Sequence, residues 1–341
     1  MKLIKTQDAI GHILCHDVTQ IVAGVTKGAL FCKGHIIEER DIPKLLELGK
    51  EHVYIWEDDI NLLHENAAAE ILIKLCQNKN MYATEPKEGK IELIADMDGL
   101  LLVDVERLRK INSLEEIIIS TRASFSTVKK GDKLCGTRII PLAIEKKKID
   151  RAKELAAKKP LLELLPFKQK KYGLINTGNE LFYGRIKDTF SPVIKEKLAE
   201  FGCEMITNVI MEDNPEHITA AIKGIFDSGA QMVICTGGMS VDPDDKTPLA
   251  IRNAADKVIS YGAPVLPGAM FMLAYMTDGR QICGLPGCVM YHKRTIFDIV
   301  LPLLLADVPV TKKWLAELGN GGLCLDCSDC HFPNCVFGKI G

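Results

Sequence analysis

Three glycine-rich runs in the second half of the chain carry the residues best suited to chemistry: Thr177-Gly178-Asn179-Glu180, Thr236-Gly237-Gly238-Met239-Ser240 and Gly284-Leu285-Pro286-Gly287. Each follows a short apolar run that reads as a buried strand. Bare amides at strand ends and helix N-termini attract anions, and glycine lets a ligand approach the main chain closely. One such run is an ordinary turn; three on one sheet edge point to a phosphate-type site. The second run continues as Val241-Asp242-Pro243-Asp244-Asp245-Lys246-Thr247, with three carboxylates in four residues. Carboxylates repel phosphate, so Asp242, Asp244 and Asp245 make sense beside an anion cradle if a hard cation such as Mg²⁺ bridges them to it. Glu180 can add a fourth oxygen or hold loop amides. The competing reading is an acidic turn that caps the helix at Thr247.

A second group closes the chain. Cys324, Cys327, Cys330 and Cys335 follow one another at spacings of two, two and four residues, with His331 beside the third. Thiols this close can turn inward around an iron–sulfur cluster or one Zn²⁺, with free or redox-active thiols as the third reading, and all three remain open. The other eight of the twelve cysteines are scattered through apolar or mixed segments and read as buried thiols. Gly319-Asn320-Gly321-Gly322 reads as a hinge that decouples the tail.

These groups need elements to hold them. At 341 residues the chain has room for about two domains. From residue 172 apolar strands alternate with helical segments, which is the signature of a parallel sheet wrapped by helices. The spacing predicts strands at 172–176, 205–210, 231–235, 258–261, 270–276 and 281–283. It predicts helices at 191–201, with Ser191 as N-cap, at 215–226 and at 289–305. Residues 1–144 alternate β-branched runs with shorter helical stretches and form a mixed α+β domain. Residues 145–171 carry ten Lys/Arg against four Asp/Glu and read as a basic helical linker. The expected order is therefore domain 1–144, linker 145–171, ligand-binding α/β domain 172–307 and Cys-rich metal-binding tail 308–341. The fold class is α/β, with a mostly parallel sheet in the C-terminal half.

The segment from Gly173 to about Asp307 resembles the molybdopterin-binding domain of the molybdenum-cofactor biosynthesis proteins. The matching residues are Thr177-Gly178-Asn179-Glu180-Leu181, Glu212-Asp213-Asn214, Thr236-Gly237-Gly238-Met239-Ser240, Asp245, Pro267-Gly268 and Gly284-Leu285-Pro286-Gly287, in family order. The Gly-Gly-x-Ser form is similar to the molybdate-inserting branch, molybdopterin molybdenumtransferase. The resemblance implies that these loops, with Pro267, Gly268, Pro286 and Gly287, bind molybdopterin or adenylyl-molybdopterin. It puts Asp245 at the metal or molybdate position. The chain has Phe190, Ala269 and Cys288-Val289 where the family has Asn, Lys and Asn-Pro, so three handles for an anion are missing. Neither the family's Asp-Gly-Tyr-Ala segment nor the pattern of its small C-terminal β domain is read in these residues. A carrier or sensor of the cofactor is thus an alternative to the enzyme. Asp244-Asp245-Lys246-Thr247 also resembles the competence/damage-inducible family, which implies nucleotide-sugar pyrophosphatase activity.

A net charge of −2, from 43 basic and 45 acidic residues, gives no general pull toward nucleic acid. No apolar run reaches membrane-spanning length, and charges interrupt the first eight residues. The expectation is a cytoplasmic protein, a homo-oligomer that handles a pterin phosphate and molybdate and serves a molybdoenzyme client.

Overall fold

The computed structural model describes residues 2–22, 26–55, 60–157, 159–240, 242–243 and 245–339. The chain divides into two compact units: residues 1–97, 103–122 and 130–164, and residues 98–102, 123–129 and 165–341. No helix among the described residues is long and apolar enough to cross a membrane.

In the first unit, the helix Glu65–Cys76 starts where the His64 side chain accepts the Asn66 N–H. It buries Ala68, Ala69, Leu72, Ile73 and Cys76 at helical spacing. That face packs on an antiparallel sheet ordered Met81–Ala83, Ile91–Ala95, Lys133–Ile139, Ile117–Thr121. Residues 146–156, inside the basic stretch, form a helix that buries Ile149, Ala152 and Ala156. A smaller cluster gathers Leu14, Ile37, Leu45, Val53 and Ile55 near the N-terminus.

The second unit is built on a six-stranded sheet, in the order Glu204–Met211, Lys171–Thr177, Met232–Thr236, Gln281–Leu285, Met272–Tyr275, Lys257–Tyr261. The first four strands run parallel and the last two are antiparallel additions. The apolar runs follow from burial on both faces of the central strands Lys171–Thr177, Met232–Thr236 and Gln281–Leu285, whereas the edge strands are half-exposed. Leu174, Met232, Ile234, Cys283 and Leu285 face the core that holds Ile194, Leu198 and the helix Ile296–Leu305. Ile175, Val233, Cys235 and Ile282 face Ile218, Ile222 and Ile251 from the helices Pro215–Asp227 and Thr247–Ala254. The first of these cores reaches past residue 307 and takes in Val310, Trp314, Leu315, Leu318 and Phe337.

Three local expectations are corrected. The helix predicted from Ser191 begins at Phe190, and Ser191 is not its cap. The Asp188 carboxylate accepts both the Phe190 and Ser191 N–H groups, so the aspartate three residues upstream satisfies the free donors. The long helix predicted over 289–305 is a short 3-10 turn, Gly287–Met290, followed by the helix Ile296–Leu305. A capping box between Thr295 and Asp298 sets the new start. Asp298 is only 3% exposed and is held by Lys197 at 2.7 Å and Arg294 at 3.0 Å.

The glycine segment before the tail is not a free hinge. Leu266 N–H donates to the Gly322 carbonyl, Cys324 N–H donates to the Leu266 carbonyl, and Gly338 N–H donates to the Gly321 carbonyl. A side chain on Gly322 would run into the Leu318 and Pro264 carbonyls, so glycine here serves close approach.

Candidate functional site

Parallel register aligns the strand ends that the sequence singled out. Asn176 lies opposite Thr236, and Thr236 opposite Leu285, so the loops that follow emerge side by side from the carboxyl edge. The strand Met272–Tyr275 runs antiparallel to Gln281–Leu285, with Met272 opposite Gly284. The segment before it, with Pro267 and Gly268, therefore joins the same edge. This is where open α/β sheets hold ligands.

Gly237 and Gly238 have φ of +81° and +52°. A Cβ on Gly237 would meet the Thr177 main chain, with its carbonyl carbon at 2.9 Å. A Cβ on Gly238 would lie 3.0 Å from Asp213 Oδ1, 3.0 Å from Thr247 Oγ1 and 3.2 Å from Thr177 Oγ1. The turn thus presses onto a polar knot in which the Thr177 and Thr247 hydroxyls bond each other at 2.9 Å. Asp213 Oδ2 accepts the Asn179 N–H at 3.2 Å, and Asp213 N–H donates to Asn179 Oδ1 at 3.4 Å. Asp213 Oδ1 is buried with no hydrogen-bond partner. Burial pushes the Asp213 carboxyl above the usual range, the Thr177 hydroxyl and the Asn179 N–H oppose the rise, and the charges of Asp245 and Glu180 add to it.

Below the knot, Asn176 donates to Ser191 Oγ and Asn208 Oδ1, each at 2.9 Å, and its Oδ1 accepts from Thr236 at 2.6 Å. Asn176, buried and satisfied, locks two of the strand ends in register.

Asp245 Oδ2 accepts the Ser240 N–H at 2.6 Å, and Asp245 N–H donates to the Asp242 carbonyl at 3.0 Å. The acid that sequence marks as catalytic also ties the Met239-Ser240 turn. Asp244 lies outside the described residues, and Asp242 is exposed. The Tyr261 hydroxyl donates to the Met239 and Ser240 carbonyls at 2.8 and 3.2 Å. Burial raises the Tyr261 phenol, and the Asp245 charge adds to the rise.

Glu180 is exposed at the start of a one-turn helix, Asn179–Phe182. Pro286 precedes the 3-10 turn begun by Gly287. Pro267 accepts the Ile296 N–H on its carbonyl, and Gly268 at φ +126° packs on the Ile296 side chain, so this pair braces the last long helix.

The main surprise is Asp213, with Thr247. Sequence reading placed Asp213 in a matching segment but not among the site residues, because the acid after a strand and before Asn214-Pro215 looks like a helix-capping turn. The acid's proximity to Gly238 is a three-dimensional fact. The available signal was position: Asp213 follows the strand Glu204–Met211 on the same edge as the three glycine runs.

Among the described residues, no three His, Cys, Asp or Glu side chains gather closely enough to form a ready metal site. Mg²⁺ does not require one, because it is held by one or two carboxylates together with substrate phosphate and water. The donors at the knot are hard oxygens, and the orphaned Asp213 Oδ1 fits such an ion. The four tail cysteines are free, Cys324 and Cys335 half-buried and Cys327 and Cys330 exposed.

Residues 173–306 match a family described as "Probable molybdopterin binding domain", and residues 3–57 match a domain of unknown function. The chain is 29% identical over 196 residues to the molybdopterin molybdenumtransferase of Haemophilus influenzae, covering 55% of this chain and 45% of that protein. It is 33% identical over 75 residues to a CinA-like protein of Mycobacterium avium, 22% of this chain and 17% of that one. A solved structure of the molybdopterin biosynthesis enzyme MoaB from Thermus thermophilus aligns over 42% of this chain and 97% of its own, at 21% identity and a TM-score of 0.36. The chain thus spans less than half the length of the molybdenumtransferase it matches. The family match, the ordered motifs and the carboxyl-edge loops all fall in residues 173–306, and that segment is similar to the molybdopterin-binding domain of molybdenum-cofactor biosynthesis proteins.

Proposed function

We propose that the carboxyl edge of the second unit binds molybdopterin, or its adenylylated form, by the phosphate, and that the protein inserts molybdate into it with Mg²⁺. The observation that carries this reading is the Gly237-Gly238 turn. It leaves no room for side chains and is backed by the Thr177–Thr247 pair and the unpartnered Asp213 Oδ1.

Backbone amides of the three glycine loops hold the phosphate. The Ser240 N–H is already taken by Asp245, so Gly237 to Met239 and the 178–180 turn carry most of the contact. Asp213 and Asp245, with Glu180 near them, form an acidic rim that phosphate alone would avoid. When bound, Mg²⁺ supplies charge neutralisation for the phosphoanhydride. Asp245 fixes the Met239-Ser240 turn, and Tyr261 holds the same turn from the other side through two carbonyls. This division needs no covalent nucleophile; positioning and electrostatics do the work.

A second reading, a carrier or sensor that binds the pterin without turnover, draws support from Phe190, Ala269 and Cys288-Val289, which replace polar or cationic residues of the family. The similarity to a CinA-like protein keeps nucleotide-sugar hydrolysis as a third. One assay separates them. The full chain is incubated with adenylylated molybdopterin, molybdate and Mg²⁺ while AMP release and formation of active cofactor are followed, with a nucleotide-sugar control. AMP release that depends on molybdate supports the transferase. Binding without release supports the carrier, and cleavage of the nucleotide sugar alone overturns both.

A further inference from the structure

The tail from Leu323 to Lys339 forms a closed loop fixed at both ends. At one end Leu323 bridges Leu266, and Cys324 N–H donates to the Leu266 carbonyl at 2.8 Å. At the other, Phe337 is in the core at 3% exposure, Gly338 N–H donates to Gly321 at 2.9 Å, and Gly338 sits against the Ile299 side chain. Phe332 packs edge-on against Phe337, and the Arg294 guanidinium lies 5.3 Å over the Phe332 ring. The loop and the segment Tyr291 to Arg294 line a half-open cavity of about 240 Å³. All four tail cysteines line it, with His292 and His331.

Plain packing explains Cys324 and Cys335, which touch the core. It does not explain Cys327 and Cys330, which are exposed, unpaired and on the wall of the same cavity. Exposed free thiols are a liability unless they have a use. We propose that this cavity is a thiolate metal site, with Cys324, Cys327, Cys330 and Cys335 as ligands for one Zn²⁺ or one iron–sulfur cluster. The sulfurs do not yet meet at one point. Loading therefore draws residues 325–334 inward between the two fixed ends, so binding and local folding are one step. Each ligating thiol gives its proton to solvent, and no electron is transferred. His331 and His292 line the same cavity, and His292 Nδ1 is 3.3 Å from Asp326 Oδ1. The proposal stands apart from the pterin reading, because it concerns the tail and is read without substrate.

The test uses the full chain purified without oxygen. Metal analysis and visible absorption should report about one centre per chain, brown if iron–sulfur and colourless with zinc if not. Protein stripped with chelator should take up Zn²⁺, or iron with sulfide, to the same ratio. Cys327→Ser and Cys330→Ser change exposed residues and should each lower the metal content at least tenfold, with the far-UV spectrum unchanged. Cys288→Ser, outside the cavity, should retain the metal. Protein that holds no metal, takes up neither zinc nor iron with sulfide, and alkylates at all four tail thiols overturns the proposal. So does metal content unchanged by the two tail substitutions, or pairing of the four thiols as disulfides.

Discussion

Replacing Gly237 by alanine tests the close approach at the centre of the site. A Cβ there would lie 2.9 Å from the Thr177 carbonyl carbon and 3.0 Å from its hydroxyl, on the neighbouring strand. The backbone φ of +81° adds strain of about 1–2 kcal/mol for an L side chain. Forcing a methyl into a packed contact adds about 1–3 kcal/mol, because Thr177 is main chain held by the sheet and cannot swing away. A combined loss of about 3 kcal/mol lowers the melting temperature of a domain this size by about 10 °C. Gly184→Ala is the internal control. Its φ is +69°, but a Cβ there meets nothing within 4 Å, so it carries the strain without the collision. It should cost about 1 kcal/mol, or about 3 °C. Differential scanning calorimetry of both variants gives the difference directly, and titration with molybdopterin should show at least a tenfold loss of affinity for Gly237→Ala alone. Equal melting shifts, or unchanged pterin affinity in Gly237→Ala, would refute the argument that this turn is built for close approach.

Asp245→Asn should abolish Mg²⁺-dependent AMP release while leaving pterin binding within about tenfold, since amides hold the phosphate; equal losses in titration and turnover would count against this. Asp213→Asn should raise the melting temperature of the ligand-free chain at neutral pH. Its folded pKa lies above the unfolded one, so the folded state binds more protons and stability falls as pH rises from the ordinary carboxylate range through the raised value. The gain should fall through the ordinary carboxylate range and vanish by about pH 2, when the wild-type acid is protonated in both states, and a gain that persists there would show another cause. Lys197→Met leaves Asp298 buried with Arg294 and the Thr295 N–H and hydroxyl as partners, and chemical denaturation should show a loss of about 3 kcal/mol.

The parallel sheet was legible because its central strands, buried on both faces, leave continuous apolar runs and the half-exposed edge strand still carries a β-branched one. The runs at 172–176, 205–210 and 231–235 fall inside the observed strands, to within a residue at Gln231. The loops were legible because three glycine-rich runs follow strands of one sheet, where a single run reads as an ordinary turn. What escaped depended on contacts distant in sequence. Ser191-Pro192 has the local form of a helix start, yet Asp188 caps the helix and Ser191 joins the Asn176 network under the sheet. The apolar content from Val289 to Leu305 concealed a break set by Thr295 and Asp298, polar residues fixed by Lys197 from another helix. Gly319 to Gly322 has the composition of a linker, but its backbone bonds go to Leu266 and Gly338. Asp213 acquires its buried, unpartnered oxygen only when the strand Glu204–Met211 is laid beside Lys171–Thr177.

The most direct measurement is a crystal structure of the full chain with adenylylated molybdopterin and Mg²⁺. The account predicts phosphate oxygens within hydrogen-bond distance of the Gly237 to Met239 amides and the 178–180 turn, with the ion against Asp213 Oδ1. A pterin bound elsewhere, or crystals that exclude the ligand while the carboxyl-edge loops stay as described, would contradict it.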